Sequence, residues 1–272
     1  MRIDSVRVLA WGSCMASLEI NLTLIGGPTV LIECLGLRLL TDPTFDEPGS
    51  YEAGGIMLEK RIGPAFSADN LCIVDAVLLS HDQHFDNLDR TGRQFLHRVR
   101  NTFTTRSGAE RLGGSAIGLS PWETTYFEGS NGQRLYITAT PARHGPPGIE
   151  PIAGDVTGFV LGISEPGDAV YITGDTVWYE GVAEVARRFR PRLVILFAGS
   201  AKPRGPFHVT MDNNDAIETA HAFPNAEIVA IHNEGWAHFT ESQEDVVRAF
   251  GTLGLPSRLQ ILERGRPEHM VL

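Results

Sequence analysis

The sequence predicts an α/β (α+β) fold in which strands from both halves of the chain form sheets and helices cover them. Three observations carry this expectation. Short β-branched and leucine-rich runs fill both halves, segments with helical spacing of apolar residues separate the later runs, and His or Asp stands just past several strand ends. A four-layer αββα sandwich and a doubly wound α/β sheet both satisfy the first two, and periodicity does not separate them.

The elements follow in order. VRVLA from Val6, NLTLI, TVLIE after the Gly26-Gly27-Pro28 break, and LRLLT before Asp42 read as a strand meander. Residues 42 to 70 are rich in Gly, Pro and acidic residues without sustained periodicity, and read as a loop long enough to overhang a site. AVLLS at 76 to 80 suits a buried strand and runs through HDQHFDNLD into a helix expected from Asn87 to about Arg100. RLYITAT at 134 to 140, VTGFVLGI at 156 to 163 and AVYIT at 169 to 173 are further strands, followed by a helix over 178 to 189. RLVILFA, a helix from Asp212 to Phe223, EIVAIH, and a helix from Glu241 to Phe250 complete the alternation. No linker or internal repeat interrupts it, so a single domain over 1 to 272 is expected.

With 42% hydrophobic and 21% charged residues, the 272-residue chain has the composition of a globular protein. A net charge of -10 and the lack of a basic run exclude nucleic acid as an expected partner and leave small molecules first. Cys14, Cys34 and Cys72 have no CxxC spacing, so neither a disulfide framework nor a thiolate metal site is expected, and all three read as small buried residues. The N-terminus lacks the apolar stretch of a signal peptide or membrane span, which makes the cytoplasm the default location. Oligomeric state is not legible, since exposed apolar patches are invisible at this level.

Four strand ends carry the chemistry: AVLLS before His81, YITAT before Ala142-Arg143-His144, VYITG before Asp175, and EIVAI before His232. Loops leaving one edge of a sheet hold side chains accurately at a common point, and mixed imidazole and carboxylate ligands suit zinc, manganese or iron. His81, His84 and Asp86 fall within six positions, a density of coordinating groups that packing does not require. His97 and His221, standing alone, read as structural histidines.

At these residues the chain resembles the metallo-β-lactamase superfamily, whose His-x-His-x-Asp-His motif is followed by further His, Asp and His ligands. The nearer likeness is to the branch with ascorbate-phosphate lactonase-like proteins and the phospholipase D acting on N-acyl phosphatidylethanolamines. It rests on IGGPTVLIE, LTDPTFD, LLSHDQHFDNLD, ATPARHGP, TGDTVWY and HNEGWAHF, which extend over nearly the whole chain in superfamily order. The resemblance implies the four-layer αββα sandwich and one or two divalent metal ions, zinc or manganese first. It implies that His81, His84 and His144 bind one ion, Asp86 and His232 a second, and that Asp175 bridges them. HDQHFDN departs from the motif by one extra residue, with Gln83 or His84 aligning to the second His and Asn87 standing where a His is expected. That leaves one metal or two open. Asp42 matches a family Asp that supports a ligand, and a turn-forming Asp before Pro43 explains it equally well.

The expected function is hydrolysis of a small-molecule ester, lactone or phosphoester by a metal-activated water, with Asp86 and Asp175 orienting the water and His208 a candidate proton donor. Trp178, Lys202, Arg204, Trp236 and His238, in loops beyond the strands, are expected to line the substrate pocket, the two cations favouring an anionic group. Two rivals remain: an iron-bound oxidoreductase with the same ligands, and a metal-poor binding protein.

Overall fold

Strands covered on both faces carry apolar residues continuously, and their alternation decides which layer each side chain enters. The computed structural model describes residues 17–128, 132 and 134–272. The strand expected from Val6, and Cys14, lie outside them. Strands β1 (Glu19–Gly26), β2 (Thr29–Cys34) and β3 (Leu37–Thr41) form the expected meander. Residues 42 to 70, expected to be irregular, instead contain a hairpin, β4 (Gly49–Ala53) and β5 (Ile56–Lys60), that pairs with neither large sheet. The first half continues through β6 (Ala76–Leu78), α1 (Arg90–Phe95), β7 (Asn101–Thr105), α2 (Arg106–Leu112) and β8 (Ala116–Leu119). Helix α1 starts three residues later than expected because the Asp89 carboxylate caps it, accepting from the Gly92 N–H at 2.7 Å.

The second half runs through β9 (Thr124–Glu128), β10 (Arg134–Pro141), α3 (Glu150–Ala153), β11 (Thr157–Gly162), β12 (Val170–Ile172), α4 (Glu180–Arg188) and β13 (Leu193–Phe197). It ends with α5 (Asn213–Ala222), β14 (Glu227–Ile231), α6 (Gln243–Thr252), β15 (Leu259–Gln260) and β16 (Pro267–Val271). Asp212 caps α5, and Ser242 with Asp245 forms a reciprocal capping box on α6.

The strands form two seven-stranded sheets, ordered β16-β1-β2-β3-β6-β7-β8 and β15-β14-β13-β12-β11-β10-β9. Ile20, Leu22, Val30, Ile32 and Leu39 of the first sheet face Leu135, Ile137, Phe159, Ile172 and Ile195 of the second in one continuous core. The alternate residues point outward. Leu31, Leu40 and Val77 meet Phe95 and Leu96, and Tyr171, Val194, Leu196 and Ile228 meet Val182 and Val185 of α4, Ala216 and Ala220 of α5, and Val246 and Phe250 of α6. This is the αββα sandwich. Of the cysteines, Cys34 is buried as expected and Cys72 is exposed.

The two sheets share a pairing pattern that the sequence conceals. Read from β16 to β8, three antiparallel pairings precede three parallel ones. Read from β9 to β15, the same succession recurs. Asp42 follows the fourth strand of the first series and Asp175 the fourth of the second.

Candidate metal centre

The strand ends converge. His81 lies beyond β6, His144 beyond β10, Asp175 beyond β12 and His232 directly after β14. His81, His84 and His144 bring one ring nitrogen each into one group, and Asp86, Asp175 and His232 form a second. His81 Nε2 is 2.8 Å from His84 Nδ1, and His144 Nε2 is 3.1 Å from that same atom. Three imidazole nitrogens on a tetrahedral ion with bonds of about 2.0–2.1 Å stand about 3.3 Å apart, and the two spacings here come within about 0.5 Å of that. Asp175 lies between the groups, Oδ2 3.6 Å from His144 Nε2 and Oδ1 3.4 Å from His232 Nε2.

Neighbouring groups fix these rings. The His144 Nδ1–H donates to the Val209 carbonyl at 2.7 Å, which leaves Nε2 as the lone-pair nitrogen facing the group. His81 Nδ1 is hydrogen-bonded to the Ser80 hydroxyl at 2.9 Å. Asp42 Oδ1 accepts from the Ser80 N–H at 2.6 Å and fixes the turn that presents His81, so Asp42 supports the loop and is not part of either group. Asp82, between His81 and Gln83, is buried and held by Arg111 of α2 through both carboxylate oxygens, while Arg93 donates to its carbonyl at 2.7 Å. Gly174 lets the Asp175 turn approach, since a Cβ there would stand 2.6 Å from the Thr157 carbonyl oxygen and 2.9 Å from Ser80 Cβ, at φ +61°. Asp42 (φ 22°), Ser200 (φ 48°) and His232 (φ 57°) hold positive φ without being glycine, a concentration of backbone strain at one place.

The electrostatics favour metal-ready protonation states at His81, His84, Asp86 and Asp175, whereas at His232 burial is overcome by the neighbouring carboxylates, Asp175 first, which raise the pKa. Burial, followed by the charge of His84, holds the His81 pKa well below the ordinary imidazole value, and burial with His144 brings His84 down to about 4. Both are neutral at pH 7, as metal ligands must be. Burial alone would raise Asp86, but the His238 hydrogen bond and the charges of His238 and His232 outweigh it and hold it well below the carboxylate range. Asp175 is likewise held low, with His232 the main counterweight to burial. Asp42 goes the other way, pushed up to about 8 by burial against the opposing Ser80 N–H bond. Both Asp175 oxygens and both His232 nitrogens are buried without a hydrogen-bond partner. Orphaned polar atoms of this kind are what a bound cation would satisfy.

The remaining expected pocket residues separate. A cavity of about 240 Å³ opens on the metal centre, lined by His84, Asp86, His144 and His238, by Ile56 and Leu58 of the hairpin, and by Ile149, Ile152, Phe207 and Val209. His238 and Arg204 lie on its wall. The His238 Nε2–H donates to Asp86 Oδ2 at 2.9 Å, and Arg204 donates to the carbonyls of Ala53 and Gly54 at 3.1 and 2.8 Å. Trp178, Lys202, Trp236 and His208 are not on its wall. Trp178 packs at the edge of the helical layer, and Trp236 packs with Tyr51 and Leu58 under the hairpin. The Lys202 backbone N–H donates to the His238 carbonyl at 2.9 Å. The His208 Nε2–H donates to Asp215 Oδ2 at 3.1 Å, a contact that raises its pKa, in a separate group with Asp212. Sequence reasoning missed Ile56 and Leu58, whose period-2 alternation was obscured by the surrounding glycines. A larger recess of about 740 Å³, bordered by Glu33, Arg38 and His269, contains none of the ligating residues.

A two-sheet sandwich with imidazoles and carboxylates gathered at its strand ends is a metal-centre scaffold, and known proteins share it. The β-lactamase superfamily domain matches residues 37–233, which include every residue of both His/Asp groups, and the chain belongs to that superfamily. It is 27% identical to the UPF0173 protein YddR of Bacillus subtilis over 258 residues, 90% of this chain and 98% of that protein. An isothiocyanate hydrolase from bacteria of the Delia radicum gut superposes with TM-score 0.77 at 24% identity, covering 93% of this chain and all, 100%, of that one. A protein described as a possible metal-dependent hydrolase from Veillonella parvula superposes with TM-score 0.78 at 21% identity, covering 92% of this chain and 99% of its own. At these identities the two structural likenesses are likenesses of fold. Among the described residues no helix is long and apolar enough to cross a membrane.

Proposed function

We propose that the protein is a metal-dependent hydrolase acting on a small-molecule ester, lactone or related electrophile. The observation that carries this reading is the set of buried, unpartnered atoms on Asp175 and His232 beside the imidazoles of His81, His84 and His144. His81, His84 and His144 would hold one divalent cation, and Asp86 with His232 a second, with Asp175 between them. Zinc and manganese suit this mixed nitrogen and oxygen set. When bound, such a cation supplies Lewis-acid activation, lowering the pKa of water from about 15.7 toward about 7.

The chain's own residues do the rest. Val209 and Ser80 hold the rings of His144 and His81 in their ligating orientation. His238 fixes the Asp86 carboxylate, which with Asp175 is placed to orient a water and accept its proton. His208, bound by Asp215 off the cavity wall, has no part in this scheme. Asn87 is buried, and its Nδ2 lies 3.5 Å from Asp42 Oδ2, so it joins Asp42 and not the ligating groups. The family membership and the hydrolase names of the structural relatives point the same way.

Elemental analysis of freshly purified protein, beside a His81→Ala His144→Ala double variant and an Asp175→Asn variant, tests the reading. One or two equivalents of zinc or manganese per chain, lost in the double variant, is the expected result. Iron in their place would favour oxidoreductase chemistry, and no metal after reconstitution would overturn the assignment.

A further inference from the structure

We propose that the cavity receives an uncharged, compact apolar group of the substrate, and that Ile56, Ile152 and Phe207 set this preference. The inference rests on the hydrolase reading for what happens at the metal centre, but its own basis is the wall of the cavity. Apart from Gln83, Arg204 and the metal-centre residues, that wall is made of aliphatic and aromatic side chains, glycine and proline. Its volume, about 240 Å³, lies below the range of about 300–1,000 Å³ common for drug-sized ligands, so the group it admits is small.

The attraction for an anion is weaker than expected, one cation on the wall in place of two. Among the described residues Arg204 is the only Lys or Arg on it, and its Nη2 is engaged by the carbonyls of Ala53 and Gly54. Lys202 lies elsewhere. A carboxylate or phosphate reaching into this space would meet a single guanidinium already turned toward backbone carbonyls, among otherwise apolar walls that return none of the hydration it loses.

The roof is anchored, so the size limit is built in. Besides the Arg204 contacts, Leu58 and Tyr51 pack on Trp236, Lys60 pairs with Asp89 at 3.2 Å beneath the hairpin, and a backbone bridge joins Lys60 to Trp236. A roof held at both strands keeps its shape before substrate arrives. Ile152, 58% exposed, stands at the mouth, where a substitution changes what enters without opening the core.

Titration calorimetry of the metal-loaded protein with two probes decides the matter. Butyrohydroxamate and the monohydroxamate of succinate share a metal-chelating head and a four-carbon chain, and differ in a terminal methyl against a terminal carboxylate. The neutral tail is expected to bind at least about tenfold tighter, a discrimination within reach of an apolar pocket. Ile152→Lys should narrow or reverse that ratio with the melting temperature unchanged. Equal affinities, a tighter succinate derivative, binding of neither probe, or a ratio untouched by Ile152→Lys would overturn the proposal. Turnover of p-nitrophenyl butyrate by the same preparation reports on hydrolysis separately. A binding preference without turnover would count against esterase activity and leave the cavity's selectivity standing.

Discussion

Lys60 and Asp89 form an ion pair with almost no solvent contact, their side chains 4% and 0% exposed and Nζ 3.2 Å from Oδ2. It ties the hairpin over the cavity to the start of α1, because Asp89 also accepts from the N–H groups of Asp46 and Gly92 at 2.6 and 2.7 Å. At an effective dielectric of about 20 the attraction is about 5 kcal/mol, and desolvating each ion costs several kcal/mol, so the pair as a whole contributes little net stability. Breaking it from one side is different, since a buried charge is left behind. Lys60→Met and Asp89→Asn are each expected to cost about 3 kcal/mol, and the double variant about 3 kcal/mol as well, a coupling of about 3 kcal/mol. Burial raises the Asp89 pKa above its unfolded value, and losing Lys60 raises it further, so the folded state of the Lys60→Met variant holds a proton the unfolded state has released. Its penalty therefore grows as pH rises through that window and shrinks in acid. Urea unfolding followed by both circular dichroism and tryptophan fluorescence measures the cycle, with Trp236 5.7 Å from Lys60 Nζ as a local reporter. Single penalties that add within about 0.5 kcal/mol would refute the reasoning.

Two further outcomes follow from the geometry. The folded pKa of Asp42, about 8, lies above its unfolded value, so chelator-treated protein should lose stability as pH rises from about 4 to about 8. Asp42→Asn, which mimics the protonated form, should flatten that slope in urea midpoints taken at pH 5 and pH 8. At Gly154 (φ +80°) a Cβ would stand 2.2 Å from Gln83 Nε2, whereas at Gly148 (φ +91°) it meets nothing within 4 Å. Both alanine variants carry the backbone penalty of about 1 kcal/mol or more, and because the Gln83 amide ends a flexible side chain that can swing aside, Gly154→Ala should melt within about 2–4 °C of Gly148→Ala by calorimetry.

What the sequence made legible is what burial writes into it. Strands such as β13, with both faces covered, carry unbroken apolar runs, and the six ligating candidates stand at or just beyond strand ends, where the structure brings them together. Edge strands leave weaker traces. β9 alternates between exposed and half-buried residues, and β16 buries only Met270, so neither stood out from loop. The hairpin does alternate, burying Tyr51, Leu58 and Lys60, but glycines at its turn and a charged residue inside it obscure the period. The tryptophans misled for the opposite reason. A large side chain past a strand end signals burial of area, and only the tertiary structure shows whether it faces a ligand or, like Trp236, holds up a roof.

The repeated pairing pattern gives Asp42 and Asp175 the same address in two similar half-molecules, yet only one of the two carboxyls is charged. Asp175 is ionised and Asp42 holds its proton at neutral pH, and the Asp175 charge is among the forces, after burial, that raise Asp42. Two equal anions facing one another across a dry interface would be mutually destabilising. The architecture is thus nearly twofold while its chemistry is not. One half keeps its carboxylate ionised among the histidines, and the other uses the same group as a neutral strut for the loop that bears His81.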